Sequence, residues 1–317
     1  MSRAPDLLSR SPGVVTPGRA RRRAPWIVLG LVVVLGVLVG LLVADIRDGG
    51  FGAVGPDRSA STAAPPDTVA RPAPKAKQNP PPVVRYPDET TTGVPAGVVL
   101  LPSGSLTITQ PGAVIDGLEI VGTVVVAADN VTIRNTRILN TGSIVIRNEG
   151  LNLLVVDTEI DGRGKGIPAV AFSNYTLRRV NIHDVGEGPR IAGNNVTIED
   201  SYVHHLAQVK DNYTDVIQAV GGKNIVVRGN NLQAYNPDTG KKGNAAFMFG
   251  EDDGPLRDCL VEGNLMNGGN YTVNGGGSGT SEAQCTFRKN RFGLDYRYGT
   301  HANLGPNVSW GGAGSGT

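Results

Sequence analysis

The sequence predicts an all-β solenoid, and three observations predict it. First, a nine-residue pattern recurs as GAVIDGLEI (112–120), NVTIRNTRI (130–138), NLLVVDTEI (152–160), NYTLRRVNI (174–182), NVTIEDSYV (195–203), NIVVRGNNL (224–232), DCLVEGNLM (258–266) and QCTFRKNRF (284–292). A repeat with start-to-start spacings of 18, 22, 22, 21, 29, 34 and 26 residues suits one coil of a solenoid, and is shorter than a propeller blade. Second, positions 2 and 4 of each copy are mostly aliphatic and position 9 is apolar throughout, the period of two that marks a strand with one buried face. Third, the chain holds 44 glycines and only 5% aromatic residues, which points away from a helical protein.

In chain order, residues 1–25 form a basic tail with six arginines against Asp6. Because the whole chain carries only +2, the remainder is slightly acidic, and nucleic acid is excluded as a partner. Residues 26–44, WIVLGLVVVLGVLVGLLVA, are uncharged and apolar, long enough for a helix that crosses a hydrocarbon core of about 30 Å. The arginines before it keep the N-terminus in the cytoplasm and place the rest outside the cell membrane as a single-pass protein. A cleaved signal peptide is the competing reading, but its apolar core runs to about 7–15 residues with a small-residue cleavage site; the length here favours an uncleaved anchor. Residues 45–92 are rich in proline and alanine and poor in large apolar side chains, so they read as a disordered spacer. The solenoid occupies 93–296 in about eight or nine coils, and the glycine-rich end, 297–317, reads as a disordered tail.

Position 1 of the repeat is Asn in five consecutive copies, Asn130, Asn152, Asn174, Asn195 and Asn224. Asn tolerates the left-handed backbone and bonds its neighbours, so stacked copies make a ladder. That accounts for the N-x-T sequons at Asn130, Asn174 and Asn195 without glycosylation. Cys259 and Cys285 share position 2 of adjacent copies; strands spaced about 4.8 Å apart bring them close enough for a disulfide or for two stacked free thiols.

The NVTI-like repeat, together with the segment TDVIQAVGGKNIVVRGN (214–230), resembles the right-handed parallel β-helix proteins of the pectate-lyase-like superfamily over roughly residues 95–293. The resemblance implies a right-handed, single-stranded parallel β-helix, outside the cell, acting on polysaccharides as lyase, hydrolase or epimerase, or binding them without turnover. Val216 departs from the glycine common in such proteins, and Tyr213 from the histidine that often precedes the Thr.

Coil length grows after Val203, through longer segments near 204–213, 233–243 and 267–283. Insertions on successive coils tend to wall one face, so a cleft is expected beside the fifth to seventh coils. The apolar runs there turn polar, bringing Arg190, Asp215 with Gln218, and Glu251 with Asp252 and Asp253. Stacking would set them on one outward face at steps of about 5 Å, an arrangement that suits a sugar chain. Arg190, Asp215, Asp184, His204 and His205 are the catalytic candidates, with Gln218, His183, Glu251 and Tyr271 as substrate-binding candidates. His183 and His204 both follow position 9 directly, where other copies hold Leu139, Asp161, Gln233 and Asn267. They are therefore either members of a polar stack or a general base oriented by Asp161 or Asp184. Neither H-x-H nor H-E-x-x-H occurs, which argues against a transition metal; calcium is the ion that a cluster of Asp215, Glu251, Asp252 and Asp253 would suit. A lyase would set Arg190 or calcium against a uronate carboxylate while His204 or His205 removes a proton. A hydrolase would pair Asp215 with Asp184 or Glu251. The alternative to both is a membrane-tethered glycan-binding or scaffold domain.

Overall fold

The computed structural model describes residues 84–208, 213–276 and 279–311. The basic tail, the apolar segment 26–44, the spacer before residue 84 and the last six residues lie outside the described residues. Every regular element among the described residues is a β-strand, and none of them forms a helix long and apolar enough to cross a membrane. The strands stack in parallel sheets, consistent with a parallel β-helix. Among the described residues, the one antiparallel pairing is a short hairpin that joins Asn231–Asn236 to Lys241–Lys242.

The chain visits three ladders in turn. The first half of each nine-residue copy lies in one ladder, whose position-4 side chains form the column Ile133, Val155, Leu177, Ile198, Val227, Val261 and Phe287. The second half lies in another, whose position-9 column is Ile120, Ile138, Ile160, Ile182, Val203, Leu232, Met266 and Phe292. The apolar run between copies makes the third, which is broken after Val170–Ala171 and resumes at Arg190–Ala192. From the second copy to the eighth, positions 2, 4 and 9 are all buried, while position 3 between them stays partly exposed. At about 1.5–3 kcal/mol for each fully buried aliphatic side chain, this column is the main source of stability.

The corners come from the backbone. Position 1 is left-handed in seven of the eight copies, from Gly112 and Asn130 to Asp258, and position 6 is left-handed in all eight, from Gly117 and Asn135 to Lys289. Asn, Asp and Gly take that conformation with little strain. Along position 1 the amides link across coils at 3.0 Å, Asn152 to Asn130, Asn195 to Asn174 and Asn224 to Asn195, each by Nδ2 donating to Oδ1. A second, buried ladder at position 7 has no counterpart in the sequence expectation. Asn264 Oδ1 accepts from the Asn230 backbone N–H at 2.9 Å, and Asn264 Nδ2 donates to the Val227 carbonyl at 2.9 Å. Asn290 repeats both bonds one coil on, toward Asn264 and Val261.

Cys259 and Cys285 face each other in register, Cα atoms 4.4 Å apart, and are disulfide-bonded. The end of the spacer is not free chain: the Gly93 N–H donates to the Arg179 carbonyl at 2.9 Å, and Asn231 Nδ2 donates to the Pro87 carbonyl at 2.8 Å. Stacking also passes residue 296, because Gly299–Ala302 and Ser309–Trp310 add strands that cover Phe287 and Phe292 with the Trp310 ring. The buried ladder gives a direct test. Asn264→Ala strands the Asn230 N–H and the Val227 carbonyl, each costing about 1–3 kcal/mol, so urea denaturation should show a loss of about 2–4 kcal/mol. Asn195→Ala, on the exposed ladder, should lose less than about 1 kcal/mol; equal losses would refute the distinction.

Candidate functional site

Parallel register builds the site. Asp161, His183 and His204 are direct neighbours on three consecutive coils, and Glu159, Asn181 and Tyr202, two residues earlier, share their outward face. Of these, Glu159, Asn181, His183 and His204 floor a cleft of about 520 Å³, lined also by Asp184, His205, Glu89 and the hairpin residues Asn236, Asp238 and Thr239. Glu89 belongs to the segment that crosses the starts of these strands; the hairpin follows the end of strand Asn231–Asn236. The cleft thus lies over the third to sixth copies, one or two coils earlier than the insertions alone suggest.

The surroundings of two histidines here push them in opposite directions. His183 Nδ1 lies 2.8 Å from Asp184 Oδ2, and its Nε2 lies 3.4 Å from Glu159 Oε1. Burial opposes a charge on the ring, but the two carboxylates prevail and raise His183 to about 9. Asp184 reaches back to the ring because its own backbone is left-handed, φ 52°. Glu159 is held below its ordinary range, first by its bond to His183 and, against burial, by Arg137 at 2.8 Å. His204, by contrast, is pushed down to about 3 by burial and by the neighbouring His205 and His183. Its ring stacks on Tyr202 at 3.9 Å, and its Nε2 lies 2.8 Å from Asn181 Oδ1.

That amide oxygen can only accept, so neutral His204 carries its proton on Nε2 and presents a lone pair at Nδ1. The Nδ1 of His205 is its hydrogen-bond partner there. His205 then donates from Nδ1, and its Nε2 lies 3.5 Å from Asp238 Oδ2.

The other expected residues are elsewhere. Arg190 Nε and Nη2 donate to the buried carboxylate of Glu187 at 2.8 and 2.6 Å, and Nη2 also donates to Gln218 Oε1 at 2.8 Å. Burial raises Glu187 despite this partner. Arg190 lines a separate pocket of about 490 Å³ with Phe172, Ala192, Val220, Asp252 and Asp253. Asp215 corrects the expectation of an outward face, for it is 0% exposed and bridges to Ala245 at the inner start of the third ladder. The coil at Gly188 sits against it so closely that a Cβ there would lie 1.9 Å from the Val216 carbonyl oxygen. Asp215 Oδ1 accepts from Asn244 Nδ2 at 3.0 Å, whereas Oδ2 and the Thr214 hydroxyl have no partner. Burial pushes Asp215 up to about 8; the Asn244 bond works against this, and the charge of Glu187 adds to it.

Glu251 Oε1 accepts the backbone N–H groups of Glu282 and Ala283 at 2.7 and 2.8 Å, fastening a loop. Tyr271 packs its ring 5.6 Å from that of Tyr298. The calcium cluster expected from Asp215, Glu251, Asp252 and Asp253 is therefore not assembled. Among the described residues the side chains that gather as metal ligands are Asp161, His183 and Asp184, with ligand atoms within 4.8 Å of one another. His183 would have to give up a proton to ligate, since both ring nitrogens already face carboxylates.

Glu159 and Asn181 escaped the sequence reading although period two puts them beside Asp161 and His183; applying that period to the outer face would have found them. Glu89 and Asp238 carry no such signal. The chain matches no protein-family model, no curated protein and no solved structure.

Two measurements follow from these charges. NMR titration of the imidazoles should find one histidine changing charge near pH 9 and another not charging until about pH 3, with Asp184→Asn moving the upper value down; two ordinary titrations near 6.5 would refute the assignment. For Asp215, the folded state keeps a proton that the unfolded chain releases at its ordinary 3.8. Stability therefore falls as pH rises from there through about 8. Asp215→Asn does not titrate, and its melting temperature should exceed the wild type's by on the order of 5 °C at alkaline pH, with the gap closing toward pH 4. A gap independent of pH would count against a buried, protonated Asp215.

Proposed function

We propose that the chain is a right-handed parallel β-helix protein of the pectate-lyase-like kind, tethered to the cell membrane by residues 26–44, whose outward cleft hydrolyses a surface polysaccharide. The observation that carries this is the relay from Asn181 through His204 to His205, set beside the charged ring of His183. Hydrolysis needs an acid for the leaving oxygen and a base for the attacking water, and groups whose environments drive them to opposite charge states make such a pair. His183 serves as the acid, held by Asp184 and Glu159. His205 serves as the base at Nε2: His204 fixes its tautomer, and Asp238 stabilises the imidazolium that forms. His204 is thus a positioning residue.

Hydrolysis is favoured over elimination because an eliminating site needs a cation on the uronate carboxylate. Arg190, the expected cation, is engaged by Glu187 and lines the other pocket. Right-handedness follows from the strong preference of parallel crossover connections. The extracellular placement rests on the arginines before residue 26.

A non-catalytic, tethered glycan-binding module is the second reading. It is favoured by the polar column continuing beyond the histidines, with Asn267 Nδ2 donating to Gln233 Oε1 at 2.9 Å. The two are separated by incubating the full chain in detergent with neutral, amino and uronate polysaccharides. New reducing ends without unsaturated-uronate absorbance are expected, falling about 100-fold or more in His205→Gln and in His183→Gln. Binding without turnover would leave the tethered module; absorbance that grows with the reducing ends would mean elimination instead.

A further inference from the structure

The cleft carries more negative charge than its proposed chemistry uses. Four of its lining residues are carboxylates, Glu89, Glu159, Asp184 and Asp238, and no lysine or arginine is among its described lining residues. Two of the four are already matched: Glu159 lies between Arg137 at 2.8 Å and His183 at 3.4 Å, and Asp184 lies on His183 at 2.8 Å. Glu89 and Asp238 are different. Glu89 forms no ion pair with a described residue, and Asp238, 78% exposed, has only His205 at 3.5 Å. They come from separate segments at the two ends of the strands that floor the cleft, so a sugar chain lying across the floor passes both. Asp161, in register beside His183, adds a fifth carboxylate just behind the lining.

A field of one sign in a cleft concentrates ligands of the other sign and repels its own. Asn181, Asn236 and Thr239 add the neutral partners that sugar hydroxyls need. From this arrangement we infer that the cleft takes a glycan bearing free amino groups, with Glu89 and Asp238 pairing to its ammonium groups, and rejects polyuronates. This rests on the glycan reading above and names the substrate class for that same site. A uronate chain would bring carboxylates against Glu89 and Asp238 with no guanidinium to receive them, since Arg190 is held by Glu187 in the other pocket.

The test uses the full chain in detergent at mildly acidic pH, where a sugar amine is protonated. Three oligosaccharides of equal length serve as probes: glucosamine oligomers, the same oligomers fully N-acetylated, and galacturonate oligomers. Isothermal titration at low ionic strength should give about tenfold tighter binding to the free-amine oligomer than to its acetylated twin, the modest gain expected from two exposed, solvent-screened charge pairs. No uronate binding should be measurable. The preference should shrink at high salt, and should fall to a few-fold in Glu89→Gln and in Asp238→Asn, each of which removes one charge without an apolar replacement. Equal binding of the free-amine and acetylated oligomers, or a preference for uronate, would overturn the inference while leaving a glycan site standing. Binding to none of the three would overturn the glycan reading as well, and a lysine-rich peptide bound in its place would make the partner a protein.

Discussion

Register is the constraint on which the rest of the molecule depends. In a stack of parallel strands each residue meets the residue at the same place in the next coil, about 4.8 Å away. A slip of one residue would turn every buried side chain outward. Here the register is pinned at both ends of one short strand by left-handed corners, at position 6 of every copy and at position 1 of all but the last. Because both corners recur, the three or four residues between them have no freedom to slide, and positions 2 and 4 must point inward. Where the corner residue is not Asn, Asp or Gly, a side-chain tie accompanies it. Arg179, at φ 50°, is clamped to Asp157 by two hydrogen bonds of 2.7 Å.

The rule that stacks isoleucines inside also stacks titratable groups outside. Asp161, His183 and His204 are neighbours for the same reason that Ile160, Ile182 and Val203 are, since each follows one of those in sequence. A column of this kind cannot leave its members independent. His183, with carboxylates on both sides, is driven to the charged form; His204, next to that charge and more deeply buried, is driven to the neutral one. The cleft owes the contrast between His183 and His204 to stacking order rather than to any local motif, which is why no short sequence signature marks it.

Most of the fold was legible because its determinants repeat. Eight nine-residue copies gave strand positions, inward faces and the Asn column, and the shared offset of His183 and His204 marked them as neighbours in one stack, although the cleft was expected one or two coils later. What could not be read was whatever happens once. Asp215 stands in an apolar run as a polar residue on an exposed strand would, and nothing local reveals that the close approach of Gly188 to Val216 carries this stretch inward. Glu89 belongs to a segment whose proline-rich composition reads as spacer; its contact with the coils depends on partners as distant as Asn231 and Arg179. The position-7 asparagines were in view in NIVVRGNNL, but adjacent Asn230 and Asn231 look alike in sequence. Only the three-dimensional stack buries the first and leaves the second at the rim.

The separation of Arg190 from the histidines decides what kind of chemistry the cleft can support. On a solenoid, two polar groups cooperate only if they share a ladder or sit at one corner between ladders. Arg190 lies on the third ladder and the histidine column on the second, and between them the chain inserts Glu187, a buried carboxylate that must have a cation. Arg190 is the residue that meets that need, three positions away and bonded through two nitrogens. Its charge is thereby spent on structure. On the reading proposed above, a cleft that keeps unmatched carboxylates and has no guanidinium among its described lining suits a cationic or neutral chain, and its chemistry falls to imidazole and carboxylate groups.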